Sequence, residues 1–128
     1  NINFNARIRF MLKDIKVENI YIVCGHTDMR KSISGLAEII QQQFDLDLFS
    51  DSLFLFCGRR RNRLKALIWE EDGFVLLYKR LEDGRYSWPK DENEVRNLTH
   101  KQFVWLMQGL AIDQPKAIKK IEGKLDIC

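Results

Sequence analysis

Residues 63–80 read RLKALIWEEDGFVLLYKR, two apolar-rich runs on either side of an Asp72-Gly73 pair. An Asp-Gly pair between such runs is among the strongest hairpin signals that a sequence offers. The pattern predicts antiparallel strands at 63–70 and 74–81, joined by a tight turn.

Similar signals extend this hairpin in both directions along the chain. Residues 52–57, SLFLFC, predict a short strand before it, and the Asp83-Gly84 turn predicts another strand at 85–88. The stretch 52–88 is therefore expected to form a β-meander.

Two helices are predicted outside the meander, and an apolar strand at 20–24 precedes the first. That helix spans 28–44, with Thr27 as its N-cap, because apolar residues recur at helical spacing. The recurring residues are Met29, Ile33, Leu36, Ile40 and Phe44. The second helix spans 99–110 and begins with a capping-box pattern at Thr99 and Gln102. Residues 90–98 are predicted to be a polar linker.

The expected fold class is α+β, a mainly antiparallel β-meander with two helices packed on one face. Side chains opposite one another in a hairpin share a face. The first face then holds Arg63, Lys65, Leu67, Trp69, Phe74, Leu76, Tyr78, Arg80 and, by extension, Arg85. The second holds Leu64, Ala66, Ile68, Val75, Leu77, Lys79, Tyr86 and Trp88. The second face is more apolar, so we expect both helices to cover it.

Composition predicts one soluble domain. The chain has 128 residues, of which 45% are hydrophobic and 30% charged, and this length suits a single α+β domain at 11–113. Residues 1–10 are interpreted as an extension or cloning remnant outside the fold, and 114–128 as a Lys-rich tail. No apolar run approaches the roughly 18 residues that span a bilayer, and no signal peptide is evident. A cytoplasmic location without a membrane partner is therefore expected.

The residues that could carry chemistry do not form a recognisable active site. Cys24, Cys57 and Cys128 lack the spacing of a zinc site, so neither metal nor cofactor is predicted. His26 follows a strand, but a histidine there more often makes local hydrogen bonds. Two-metal catalysis needs converging carboxylates, whereas Asp28 is the only acid at the exit of an apolar strand. Five other acids lie in or beside the predicted hairpin turns: Glu70, Glu71, Asp72, Glu82 and Asp83. The sequence predicts that the protein is not an enzyme.

Positive charge gathers at one end of the predicted first face. The net charge is only +3, so its distribution matters more than its sum. Guanidinium groups bind phosphate oxygens and aromatic rings stack on bases, which makes this surface a candidate nucleic-acid contact. The candidate residues are Arg59, Arg60, Arg61, Arg63, Lys65, Tyr78, Arg80 and Arg85. The alternative is that the arginine run is simply a solvated turn.

Four ordered blocks between about 20 and 110 resemble the TnpB accessory proteins of the insertion sequence 66 transposon family. The first block is Gly25, His26, Thr27, Asp28, Met29, Arg30 and Lys31, followed by Gly35-Leu36. The second runs from Leu53 to Arg60, with Arg63 and Lys65. The third contains Trp69, Gly73-Phe74, Tyr78 to Glu82, Gly84 and Trp88-Pro89, and the fourth is Leu106 to Leu110. Ser32 and Ser34 depart from the motif, where Gly and Asp are expected.

The resemblance implies an accessory role in DNA transposition, beside a separate transposase and another accessory protein of the element, and it brings no known activity. One hypothesis is that the protein contacts DNA, weakly or without sequence specificity. A second is a pure protein-interaction module that binds its partner through Trp69, Phe74 and Leu76. A third, a cryptic phosphoryl-transfer enzyme, would need a metal site that the sequence does not indicate.

Overall fold

The computed structural model describes residues 11–115 of the chain. The predicted extension at 1–10 lies outside the described residues, as does the predicted tail at 114–128 except Gln114 and Pro115. Within 11–115 the strands are β1 (Asn19–Val23), β2 (Ser52–Cys57), β3 (Arg63–Trp69), β4 (Phe74–Arg80) and β5 (Val95–Leu98). They form one sheet in the order β4-β3-β2-β1-β5. The predicted α+β class is confirmed.

The hairpin of β3 and β4 has the predicted register. Its pairs run from Arg63 opposite Arg80 to Trp69 opposite Phe74, so the predicted division of the β3 and β4 side chains between two faces is correct. β2 pairs with β3 antiparallel, which confirms the first three strands of the meander. Alternation and turn chemistry are local signals, and they were sufficient for this part of the sheet.

β1 adds a parallel pair, which makes the sheet mixed. β1 lies beside β2 in parallel, from Asn19 opposite Ser52 to Ile22 opposite Leu55. On its other side β1 pairs antiparallel with β5. The prediction of a polar linker at 90–98 is therefore wrong at Val95–Leu98, whose short and polar sequence gave no strand signal.

The predicted strand at 85–88 is also absent from the described sheet. The Tyr86 N–H donates to the Arg61 carbonyl at 2.7 Å, and the Gly25 N–H donates to the Pro89 carbonyl at 2.7 Å. The segment therefore runs across the end of the sheet, from the loop after β2 to the loop after β1. The Trp88 indole N–H reaches the Val23 carbonyl at 2.9 Å, and Trp88 is buried as predicted.

The first helix begins later than predicted. α1 spans Ile33–Glu38 and continues as a π-helical turn at Ile39–Gln43. The Asp28 side chain accepts the Arg30 backbone N–H at 2.9 Å, and this local turn replaces the helix over the preceding residues. Thr27 is therefore not the N-cap; Ser32 occupies that position without a side-chain bond.

α2 (His100–Met107) has the predicted start. The Thr99 hydroxyl accepts the Gln102 N–H at 3.1 Å, and the Gln102 side chain accepts the Thr99 N–H at 2.9 Å. The helix ends before 110 because Gly109 adopts a left-handed conformation, with φ +82.

The two helices pack on opposite faces of the sheet, so the prediction that both share one face is wrong. On the second face, Phe103 and Leu106 of α2 pack with Leu64 and Ala66. On the first face, Leu36 and Ile40 pack with Phe54, Phe56 and Leu67. The parallel connection from β1 through α1 to β2 carries its helix to one face, while α2 follows β5 and covers the other.

Truncating either buried helix residue tests this two-sided core. Leu36→Ala and Phe103→Ala should each lower the free energy of unfolding by roughly 2–5 kcal/mol, because each leaves a cavity in a closed core. Both side chains have no exposed surface. Urea denaturation followed by circular dichroism measures the change.

Two exposed positions on the same helices serve as controls. Ser34→Ala and Lys101→Ala should stay within about 0.5 kcal/mol of wild type. A neutral result for Leu36→Ala or Phe103→Ala would contradict the assignment of that helix face.

Candidate nucleic-acid interface

The candidate site lies where the parallel strands β1 and β2 end. Parallel strands finish at the same edge of a sheet, and ligands of open sheets bind outside such ends. Here the loop 24–32 follows β1 and the loop 58–62 follows β2. The Thr27 N–H donates to the Cys57 carbonyl at 2.8 Å, which joins the two loops. The first two blocks of the family motif therefore meet at one place.

Two motif glycines permit the close packing of these loops. A Cβ on Gly58 would lie 2.7 Å from Met29 Cγ, so a larger residue would push the loops apart. Gly25 has φ +75, and a Cβ there would lie 2.9 Å from Glu92 Cγ. Both positions require glycine for steric reasons, and Gly25 also for its backbone conformation.

Between the loops lies an open groove of about 680 Å³. Four arginines line it, Arg30, Arg59, Arg60 and Arg63, together with the single carboxylate Asp28. We call this feature the arginine groove. Its excess of positive charge favours an anionic ligand.

Arg30 neutralises the one carboxylate of the arginine groove. The Arg30 Nη2 and Nε atoms donate to the Asp28 carboxylate at 2.7 and 3.0 Å. This hydrogen bonding holds the pKa of Asp28 far below its usual range and raises the pKa of Arg30. Within 11–115, no carboxylate lies within ion-pair distance of Arg59, Arg60 or Arg63. Of the four arginines that line the groove, these three therefore have no carboxylate partner in the described part of the chain.

His26 orients Arg59. Arg59 Nη2 donates to His26 Nε2 at 3.2 Å, since a guanidinium has no acceptor atom. On the other side of the ring, His26 Nδ1 lies 3.5 Å from the Glu92 carboxylate. Sequence reasoning missed Glu92, which is distant from His26 in the chain.

The three consecutive arginines are divided between two adjoining hollows. Arg61 has φ 60, and this left-handed conformation turns the chain back toward β3. Arg61 lines a neighbouring hollow of about 340 Å³ with Trp88, Pro89 and Lys90. Arg59 borders both hollows.

The predicted strand residues extend from the arginine groove along β3 and β4. Lys65 donates to the Lys31 carbonyl at 2.7 Å and lies 5.9 Å from the centre of the Tyr78 ring. Arg80 faces Arg63 across the ladder and pairs with Glu82 at 3.1 Å. Lys65 and Arg80 are thus already engaged within the protein, while Tyr78 remains 54% exposed.

Arg85 does not lie in a strand of the sheet. The strand alternation that predicts it on the first face therefore does not apply. Its backbone lies near Gly109 at the end of α2, and α2 covers the second face. Arg30 also lines the arginine groove, although the sequence predicts no binding role for it beyond its place in the motif. The parallel pairing of β1 and β2 would have indicated its position.

The predicted partner-binding residues lie at the other end of the sheet. Trp69 and Phe74 close the β3–β4 ladder beside the turn, and Leu76 follows on the same face. All three are partly exposed.

The side chains that could act in catalysis either have hydrogen-bonding partners, as His26 and Asp28 do, or are buried, as Cys24 and Cys57 are. Burial raises the pKa of the Cys24 thiol to about 11 and that of Cys57 to about 12, so both stay protonated at neutral pH. Across residues 11–115, no three His, Cys, Asp or Glu side chains form a group that could hold a metal ion. In the same part of the chain, no helix is long and apolar enough to cross a membrane.

The fold and groove define a small α+β protein with an arginine-lined cleft at the ends of a parallel strand pair. The family described as IS66 Orf2-like protein matches residues 18–117, and the chain belongs to that family. It is therefore an accessory protein associated with an insertion-sequence element.

Two relatives from Sinorhizobium fredii (strain NBRC 101917 / NGR234) are similar in sequence. The uncharacterized protein y4hO is 33% identical over 97 residues, which cover 76% of this chain and 84% of the relative. The uncharacterized protein y4jC is 25% identical over 91 residues, covering 71% and 78%. No solved structure matches the chain.

The pairing of Asp28 with Arg30 can be tested by titration. Carbon-13 NMR of the Asp28 carboxyl should show it ionised well below pH 3.9, the ordinary aspartate value. Because its folded pKa is lowered, the pair persists at neutral pH and through the range where ordinary aspartates protonate. It is lost only as pH falls through the folded pKa.

Arg30→Ala should raise the pKa of Asp28 toward the ordinary value. Arg80→Ala, which removes an arginine outside this pair, should leave the Asp28 titration unchanged. An Asp28 titration that Arg30→Ala does not move would rule out the pairing.

Proposed function

We propose that this accessory protein binds the sugar–phosphate backbone of DNA through the arginine groove and acts in transposition without cutting DNA itself. The observation that carries the proposal is the convergence of Arg59, Arg60 and Arg63 on one open cleft without a carboxylate partner among residues 11–115. Membership in an insertion-sequence family supports DNA as the polyanion.

The chemistry of the arginine groove fits phosphate. A guanidinium group donates two parallel hydrogen bonds to phosphate oxygens, and such charge-assisted bonds are stronger than neutral ones. Contacts of this kind position a protein on DNA but carry no base sequence directly. The proposed binding is therefore sensitive to salt and weakly selective for sequence.

The loops present these groups in a fixed arrangement. His26 and Glu92 hold Arg59, while the close approach of Gly58 to Met29 fixes the two loops against each other. Preorganised donors lose less conformational entropy on binding. Beside the arginine groove, exposed Tyr78 offers a ring on which an unpaired base could stack.

The absence of catalysis is part of the proposal. Asp28 is committed to Arg30, and Cys24 is a buried thiol with a raised pKa. His26 lies between an arginine and a glutamate rather than beside a nucleophile. We infer that the separate transposase of the element performs the strand chemistry, while this protein helps to position DNA in the complex.

Removing the open arginines should flatten the salt dependence of DNA binding. The variant Arg59→Ala/Arg60→Ala/Arg63→Ala should reduce the slope of log affinity against log salt by about 2–3 units, since each phosphate contact contributes about 0.9. Fluorescence anisotropy with a labelled duplex, repeated at several salt concentrations, measures the slope.

A control variant removes the same number of positive charges from positions outside the arginine groove. Lys13→Ala/Lys16→Ala/Lys101→Ala removes three exposed lysines outside the arginine groove, and its slope should stay near that of the wild type. The DNA-binding proposal fails if the wild type does not bind at low salt, or if both triple variants behave alike.

The purified protein should not cleave DNA in the presence of magnesium or manganese. The physical reason is that strand cleavage with two metal ions requires convergent carboxylates, whereas Asp28 is held by Arg30. A supercoiled-plasmid nicking assay measures this. Metal-dependent nicking that disappears in Asp28→Ala would contradict the prediction.

A further inference from the structure

Three aromatic rings form a cluster at the end of the sheet away from the arginine groove. Phe49, in the segment before β2, packs against Trp69 with ring centres 4.9 Å apart and against Phe74 at 5.9 Å. Trp69 and Phe74 are themselves 5.0 Å apart. Phe49 is 55% exposed. A phenylalanine this exposed, on two further rings, presents an apolar anchor site to solvent.

The chain segments that carry these three rings are acidic. The two segments that supply the rings, 44–53 and 66–76, contain no Lys, Arg or His. All their acidic side chains are exposed: Asp45, Asp47, Asp51, Glu70, Glu71 and Asp72. We call the three rings and these six acids the acidic aromatic surface. The basic residues Lys13 and Lys16 belong to the segment before β1, and β1 lies on the far side of β2 from this hairpin.

The backbone holds this arrangement in place. The Asp47 side chain accepts the Phe49 N–H at 2.9 Å, which fixes the turn that carries Phe49. On the hairpin, Glu71 adopts φ 55 and the Glu70 N–H donates to the Gly73 carbonyl at 2.8 Å. The turn that carries Phe49 and the hairpin turn at Glu70–Gly73 are therefore both held by hydrogen bonds.

The two charged surfaces are separated along β3. Arg63 begins the strand at the arginine groove and Trp69 ends it at the acidic aromatic surface. Six residue steps at about 3.3 Å each give a separation of roughly 20 Å. A phosphate backbone would be repelled at the acidic end, so this end requires a ligand of the opposite charge.

We propose that the acidic aromatic surface is a docking site for a basic protein segment that carries an apolar anchor side chain. Charge complementarity selects the partner: Lys or Arg side chains meet the carboxylates, and the anchor packs against Phe49, Trp69 and Phe74. DNA-handling proteins are rich in basic segments, so such a partner suits a DNA-associated complex. The arginine groove of a second copy fits this surface less well, because Met29 is the one apolar side chain among the residues that line the groove.

A short fluorescein-labelled peptide of repeated Lys-Leu-Lys units is a suitable probe. It should bind the wild-type protein in an anisotropy titration and shift the indole resonance of Trp69 in nitrogen-15 NMR. Two matched peptides, with Ser in place of Leu or Glu in place of Lys, should bind at least about tenfold more weakly, the change in affinity that corresponds to losing one anchor contact. Equal binding of all three peptides would overturn the proposal.

Variants of the protein test the two components separately. Phe49→Ser should weaken peptide binding at least about tenfold; because Phe49 is largely exposed, the fold should persist, as the NMR spectrum will show. Glu70→Gln/Glu71→Gln/Asp72→Asn should weaken binding and reduce its dependence on salt. Leu110→Ser, at another exposed apolar position, should bind like the wild type.

Two further outcomes would contradict this assignment. Unchanged peptide affinity in both the Phe49 and the triple acidic variants would remove the surface as a docking site. Concentration-dependent dimerisation in sedimentation experiments, abolished by Phe49→Ser, would assign the surface to a second copy instead. DNA binding through the arginine groove is a separate property, and Phe49→Ser should leave its salt slope unchanged.

Discussion

The parallel pairing of β1 with β2 determines most of what lies around it. Since the two strands end at the same edge, the loops after them are forced together, and the Thr27 N–H bonds the Cys57 carbonyl. The same pairing requires a crossover connection, which places α1 on one face of the sheet. Every residue of β2 is buried because helices cover both faces. Groove, helix placement and two-sided core therefore depend on one strand ladder.

Local signals predicted the hairpin well, whereas long-range pairings were missed. The register from Arg63–Arg80 to Trp69–Phe74 follows from alternation and one turn. No comparable signal marks β5, whose four residues are held by pairing with β1. The parallel ladder was not anticipated either, and without it the sequence could not assign the helices to opposite faces. The start of α1 was misplaced because one side chain, Asp28, favours a turn.

For the candidate site, too, local sequence features were predicted and long-range contacts were missed. Sequence reasoning recognised the arginine cluster, because charge composition is visible in one dimension. It could not predict that the Lys65 ammonium donates to the carbonyl of Lys31, 34 positions away. Nor could it predict that the Arg59 guanidinium is hydrogen-bonded to His26, 33 positions away. Nor could it separate Arg61 from its neighbours, since that depends on one positive φ. Which cations remain open to a ligand is a property of the fold.

A net charge of only +3 conceals two opposed local charges. Arginines gather at one end of β3 and carboxylates at the other, roughly 20 Å away. This separation exceeds the Debye length of about 8 Å at physiological salt, so each end attracts its own ligand with little interference from the other. β3 runs from Arg63 of the arginine groove to Trp69 of the acidic aromatic surface, so one strand links the two surfaces. We propose that the two surfaces hold ligands of opposite charge at this distance, an arrangement that suits an accessory protein of an insertion-sequence element.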